Sequence, residues 1–444
     1  MKKIVFLLFV FLLLGGIALF FLFSQKEEEI FTIQGTISSI EDSIFFLKTK
    51  TDSYPFLKPE NTDLQVEDEI KIEYQGTLDI KNPNEVVSLT VIKKANPLFL
   101  ALGTDGIFKN SYEKAYQMLQ TLSLEEKIGQ LLLARVPETQ KIEAIQTYHL
   151  GGYVLFANDF KGKTKEEVIT MTNSFQEASK IPLLLATDEE GGTVVRVSSN
   201  KNLRSSPFSS PQKLYQEGGF EKIKEDTKEK SQLLASLGIN VNLAPVADVS
   251  LNPTDYMYKR SFGGDTKQTQ TYIETVITES KNYPVSYTLK HFPGYGNNQD
   301  THTGSSVDSR TYEQIKENDL PPFETGISSG AEAILVSHNI VSSMDAENPA
   351  SLSSKIHDFL RQEMKFTGIV MTDDLDMGAV NNSNYQKIYE KAFLAGNDLL
   401  IVTDYQKAYE ELLNAVNQGT ITEDQINLAV LRILSWKYEK NLWT

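Results

Sequence analysis

The chain contains no cysteine among its 444 residues. That absence excludes disulfides, thiolate zinc sites, a cysteine nucleophile and a lipidated lipoprotein cysteine. Histidine is scarce too: His149, His291, His302, His338 and His357 are the whole supply, which leaves a multi-histidine metal cluster few candidates. Positive charge is short, with 43 Lys and Arg against 59 Asp and Glu and a net charge of -16. A nucleic-acid partner is therefore not expected, because a phosphate backbone calls for a basic face. What is present is ordinary globular material, 40% apolar and 23% charged, long enough for one large domain and a smaller one.

The N-terminus departs from this average. Lys2 and Lys3 precede an unbroken apolar run from Ile4 to Phe23, followed by Lys26, Glu27, Glu28 and Glu29. A run of that kind matches the ~20 residues a membrane-spanning helix needs. Its lack of a polar face argues against a buried core helix, and no small-x-small cleavage site is evident. Residues 1–25 are expected to be a single-pass membrane anchor, or else a cleaved signal that leaves the protein secreted. Either way the lysines before the run place the remainder on the extracytoplasmic side.

Residues 30–95 read as short β-strands. Phe31-Thr32-Ile33-Gln34-Gly35-Thr36-Ile37 and Glu69-Ile70-Lys71-Ile72-Glu73-Tyr74 alternate, and turn-type clusters such as Lys81-Asn82-Pro83-Asn84 separate such stretches. A small β-rich, OB-like domain is expected, a spacer more than a binding module, since it shows no cluster of aromatic or basic residues. Residues 96–110 are expected to link it to a second domain, 111–444. There, eight short apolar runs alternate with helical stretches: Leu131–Ala134, Gly152–Phe156, Pro182–Ala186, Val241–Ala244, Val285–Leu289, Ala333–Val336, Gly368–Met371 and Asp398–Val402. Runs that are apolar throughout suit strands buried on both faces, and eight of them predict an α/β fold of the (β/α)8 TIM type. The competing open doubly wound sheet would want a glycine-rich loop after the first strand, and none is there.

In such a barrel the chemistry gathers where strands end. The third run leads into Asp188-Glu189-Glu190-Gly191-Gly192, the fourth to Asn242 and Asp248, and the fifth to Lys290-His291 with Asp300 and His302 beyond. The sixth ends in Ser337-His338-Asn339 and the seventh in Thr372-Asp373-Asp374. Asp188 or Asp373 taken singly has an alternative role in capping a helix, and His338 suits a core histidine. His149 and His357 read as surface residues. Asp300 beside His302 is a general acid/base arrangement, in which a carboxylate orients an imidazole. It is favoured over a metal site, for which no repeated ligand motif exists.

Lys290-His291-Phe292-Pro293-Gly294, followed by Asp300-x-His302, resembles the signature of glycoside hydrolase family 3, and more narrowly that of its β-N-acetylhexosaminidase branch. Ser123-Leu124-Glu125-Glu126-Lys127-Ile128-Gly129-Gln130, Asp188 to Arg196, Arg260-Ser261-Phe262-Gly263 and Thr372 to Met377 agree, in the family's order. The resemblance implies a retaining glycosidase that removes terminal β-linked N-acetylglucosamine, with a cell-wall glycan or its fragments as the carbohydrate partner and no cofactor or metal. It implies Asp373 as nucleophile, His302 held by Asp300 as acid/base, and Asp188, Arg196, Arg260, Lys290 and His291 as the grip on the sugar. Asp374 is assigned to support or capping. The chain departs from the pattern at Tyr295, where the family usually has histidine, and at Thr303-Gly304-Ser305-Ser306, where a Leu-Pro stretch is usual. Two alternatives are a phosphorylase, in which phosphate replaces water, and a non-catalytic surface protein that only binds sugar.

Overall fold

The computed structural model describes residues 30–296, 306–381 and 385–443. The expected anchor at 1–25 and the expected Asp300–His302 pair lie outside the described residues. Among the described residues no helix is long and apolar enough to cross a membrane. Contacts divide the chain into two units, between Leu100 and Ala101.

The first unit is a five-stranded antiparallel sheet of β1 (Ile30–Glu41), β2 (Ile44–Lys48), β3 (Ser53–Leu57), β4 (Glu69–Gln75) and β5 (Ser88–Lys93), in the order β3-β2-β1-β4-β5. Alternation drives it: in β4, Ile70 and Ile72 turn inward while Lys71 between them is exposed. Ile37, Phe45, Leu47, Phe56, Leu64, Ile70 and Ile72 form its core. A parallel bridge between Phe56 and Asn84 brings the far edge of β3 to the chain entering β5, so the sheet curls. In the segment expected as a linker, the chain forms a helix, Pro97–Leu102, and a 3-10 turn, Lys109–Ser111.

The second unit holds eight parallel strands: β6 (Leu132–Arg135), β7 (Gly152–Leu155), β8 (Leu184–Thr187), β9 (Val241–Asn242), β10 (Ser286–Phe292), β12 (Ala333–Val336), β14 (Ile369–Thr372) and β15 (Leu400–Val402). The two short strands numbered between them, β11 (Val307–Asp308) and β13 (Ile340–Val341), pair with each other outside this sheet. Each barrel strand neighbours the next in sequence, and β15 returns to β6. β14 and β15 meet only through a bridge at Met371 and Leu399, together with bonds such as Leu375 N to Ile401 O, 3.0 Å, so the barrel is nearly closed. The eight apolar runs are these eight strands, with ends that differ by no more than three residues.

The crossing helices start where side chains can cap them. Ser123, Thr164, Asp265, Thr311 and Thr422 each accept a bond from the amide three residues on, and Glu126, Glu167, Gln268, Gln314 and Gln425 return one. The helix Ser354–Asp358 is short and runs on into a π-helical turn at Phe359–Glu363. His357 lies here, and it is not a surface residue: it is buried, with Nδ1 2.8 Å from the carbonyl of Ser353. Its place on the inner face of a short helix, packed beside Gly396, decides that. His338 is a buried histidine bonded on both nitrogens, to Ser351 Oγ at 2.7 Å and to the Asp374 carbonyl at 3.0 Å.

Candidate active site

A cavity of about 700 Å³ opens at the carboxyl ends of the barrel strands. Arg135 closes β6, Phe156 follows β7, Asp188 follows β8, Lys290 and His291 lie in β10, Asp373 follows β14 and Thr403 follows β15; all line it. A parallel barrel puts every such strand end on one rim, so residues hundreds of positions apart converge. Arg196 and Arg260, on loops, complete the set expected to grip a sugar.

The strongest electrostatic feature is a buried lattice of opposite charges on the β8–β10 side. Lys290 Nζ lies 2.7 Å from Asp188 Oδ1 and 2.7 Å from Glu190 Oε1. Arg260 grips Glu190 with two bonds, Nη2 to Oε1 at 2.7 Å and Nε to Oε2 at 3.0 Å, the planar fork that suits a carboxylate. Burial pushes the Glu190 carboxyl up, but Arg260 and Lys290 overcome it and hold the group far below the usual carboxylate range. Burial acts equally against the Lys290 ammonium, which Asp188 and Glu190 nonetheless hold above its ordinary value. His291 is fixed at both ends: Nδ1 is 2.7 Å from Asp248 Oδ2, and Nε2 faces Arg260 Nη2 at 3.3 Å. A guanidinium only donates, so in the neutral ring the hydrogen sits on Nδ1. β10 slips register against β12 between Lys290 and Phe292; strict alternation fails there, and neighbours 290 and 291 both line the cavity.

The turn that carries Arg196 is pinned from below. Glu189 is fully buried and accepts the amides of Arg196 and Val197 at 2.9 and 2.7 Å. Gly191 lets the turn pass: at φ +100, a Cβ would lie 2.3 Å from the Ser209 carbonyl. Arg196 Nη2 then stands 3.6 Å from Asp188 Oδ2.

Across the cavity, Asp373 is placed by bonds that tie its strand end to the neighbouring strands on both sides. Its amide donates to Val336 O at 3.1 Å, and Thr372 Oγ1 accepts the Ile401 amide at 3.1 Å. Burial pushes its carboxyl up, but His338, His291, the Asp374 amide and Lys290 prevail, and the group is held below its ordinary value. Asp374 is moved the opposite way, raised chiefly by burial. Its oxygens accept the Asp376 amide at 3.0 Å and Thr403 Oγ1 at 2.9 Å. Two adjacent carboxyls thus differ: Asp373 is kept ionised in the cavity, while Asp374 braces the loop. Among the described residues no group of three His, Asp or Glu is arranged to hold a metal ion.

Comparison with known proteins identifies the architecture. Residues 123–436 match the model of the glycosyl hydrolase family 3 N-terminal domain. The chain belongs to glycoside hydrolase family 3. It is a glycoside hydrolase, and its relatives lie in the β-N-acetylhexosaminidase branch. A β-hexosaminidase of Xylella fastidiosa is 30% identical over 303 residues, 67% of this chain and 89% of the relative. One from Mycobacterium tuberculosis is 28% identical over 334 residues, 71% of this chain and 83% of the relative. The solved family 3 β-N-acetylglucosaminidase of a Paenibacillus species superposes with a TM-score of 0.68 at 28% identity. The match covers 73% of this chain and spans 64% of that longer one.

Several residues of this family 3 site had no role assigned from sequence. Glu190 and Asp248 carry the charge lattice and the His291 anchor, and their only signal was adjacency to strand ends. Arg135, Phe156 and Thr403 stand at strand ends too and carried no other signal, and Tyr256, in a turn, had none. Tyr295, at the position where family 3 usually has histidine, is buried with its amide on Asp248 Oδ1 at 2.7 Å. Its ring meets His291 edge-on at 5.5 Å and Tyr256 at 5.7 Å, so the departure from the family pattern adds an aromatic wall.

Proposed function

We propose that this family 3 enzyme is a retaining β-N-acetylglucosaminidase acting on terminal sugars of cell-wall glycans or their fragments. The observation that carries the reading is Asp373, a carboxylate held ionised at the end of the seventh barrel strand, opposite the Asp188–Lys290–Glu190–Arg260 lattice. An ionised carboxylate in a sugar-sized cavity attacks the anomeric carbon, and a second group protonates the leaving oxygen. Here that second group is His302, with Asp300 holding its tautomer. An imidazole titrates near working pH and serves as acid and then as base for water. Asp188, Arg196, Arg260, Lys290 and His291 bind the hydroxyls of the terminal ring. The relatives' names, β-hexosaminidase and β-N-acetylglucosaminidase, support the choice of sugar and of hydrolysis.

The test is release of nitrophenol from an aryl N-acetyl-β-glucosaminide, followed by trapping with a fluorinated analogue and peptide mapping. Asp373→Ala should lose at least roughly a thousandfold in kcat with folding intact, and the trapped sugar should map to Asp373. A label on another residue would refute the covalent mechanism, and a sugar-1-phosphate formed with phosphate present would mean phosphorolysis. The same reading places catalysis outside the cell, on a chain anchored by the apolar run from Ile4 to Phe23. Protease added to intact cells should then degrade the enzyme.

A further inference from the structure

We propose that Arg135, with Arg196 beside it, forms an anion subsite at the cavity mouth that selects glycosides whose leaving group carries a carboxylate. The inference rests on the hydrolase reading above and adds to it the chemistry of the leaving group.

Depth in the cavity sets the direction of the substrate. The side chains of Lys290 and Glu190 are each 2% exposed, those of Arg260 and Asp188 14% and 16%, and that of Arg196 26%. Arg135 is shallower still, in the exposed class. A terminal sugar enters with its non-reducing end in the deep lattice, so its leaving group points to the mouth, where Arg135 stands.

The cations of the deep lattice are consumed by carboxylates. Arg135 is not: among the described residues its side chain makes no hydrogen bond or ion pair, and it stacks on Phe156, the guanidinium carbon 4.1 Å from the ring centroid. Arg196 approaches the same ring at 5.4 Å, and its buried Nε has no partner. Stacking fixes the plane of a guanidinium while leaving its N–H edge free. Arg196 is paired with Asp188 at 3.6 Å, which leaves Arg135 as the guanidinium on this ring whose edge is unpaired among the described residues. Asp159, whose carboxyl feels the charge of Arg135, spends an oxygen on the Phe156 amide at 2.8 Å and faces Lys141 at 4.0 Å. Asp376 spends its oxygens on the amides of Thr403 and Asp404 and on the Tyr389 hydroxyl, and those of Asp374 go to Asp376 and Thr403. A free, planar guanidinium edge at a sugar-binding mouth matches a carboxylate, which it binds through two parallel bonds.

The experiment uses the full chain and a matched pair of substrates: the N-acetyl-β-glucosaminides of 4-hydroxybenzoate and of 4-hydroxybenzamide. The readout is the ratio of kcat/KM for the acid over the amide, which cancels effects common to both. Arg135→Gln should lower this ratio roughly tenfold, with Arg135→Lys in between, since a lysine keeps the charge and loses the fork. The ratio for the parent should also fall as salt is raised. An equal ratio in parent and Arg135→Gln would overturn the proposal. So would a common fall in both substrates with the ratio intact, since Arg135 would then only support Phe156. A parent that cleaves neither glycoside would instead sink the hexosaminidase reading, and the subsite with it.

Discussion

Glu190 is the residue on which the site's electrostatics turn. Its carboxylate is almost wholly buried yet meets Lys290 and Arg260 at 2.7 Å each, so three charges are removed from water together. Removing one member of such a group leaves the others uncompensated, which costs about 3 kcal/mol or more. Glu190→Gln should therefore lower the unfolding free energy read from a urea titration by that amount while also weakening sugar binding, and an unchanged value would show that the lattice adds no stability. The sign with pH follows from the depressed carboxyl: the unfolded chain binds the proton more readily, so the contribution is complete above the ordinary value of 4.5 and erodes as pH falls below it. In the Gln variant that acid-side loss should shrink. From sequence alone Glu190 was one of two adjacent glutamates, and nothing distinguished the one that faces the lysine from Glu189, which holds the turn beneath.

At the scale of elements, the strands were legible because each is a short, continuous apolar run, and burial on both faces demands that. The helices between them start at capping side chains, as at Thr164 and Asp265. Legibility fails where tertiary contacts override local pattern: the π-helical turn after Asp358, and the register slip in β10 that turns His291 inward. The exit from β10 is another such place. Gly294 has φ +125, and a Cβ there would lie 2.5 Å from Asp319 Cβ. Asp319 cannot easily yield, because Arg310 holds it at 2.7 Å while also binding Asp308 at 2.8 Å. Gly294→Ala should cost clearly more than about 1 kcal/mol and depress kcat/KM. Gly162→Ala is the control, with φ +74 and no atom within 4 Å of the added Cβ, so it bears the backbone cost alone. Equal losses of thermal stability in the two variants would mean that the clash at Asp319 is relieved without cost.

For the whole molecule, closure is the property that brings the site together and that no local stretch of sequence contains. The C-terminal helix, Glu423–Glu439, helps enforce it from the other end of the barrel. Trp436 Nε1 donates to Ser286 Oγ at 2.9 Å, and Lys437 Nζ donates to Gln130 Oε1 at 2.6 Å and Gly151 O at 2.9 Å. One helix thereby ties together segments entering the second and fifth strands and the chain just before the first. Every residue lining the cavity falls between Arg135 and Thr403, inside the unit that begins at Ala101. A chain started at Asn96, which keeps the residue that caps the helix Pro97–Leu102, should fold and should hydrolyse a small aryl glycoside with kcat/KM within about twofold of the full protein, since the first unit supplies no residue that lines the cavity. Circular dichroism would verify folding before the rates are compared. A folded but tenfold slower enzyme would mean that the five-stranded sheet acts on catalysis, and its part would then have to be sought in the chemistry and not in holding the barrel clear of a surface.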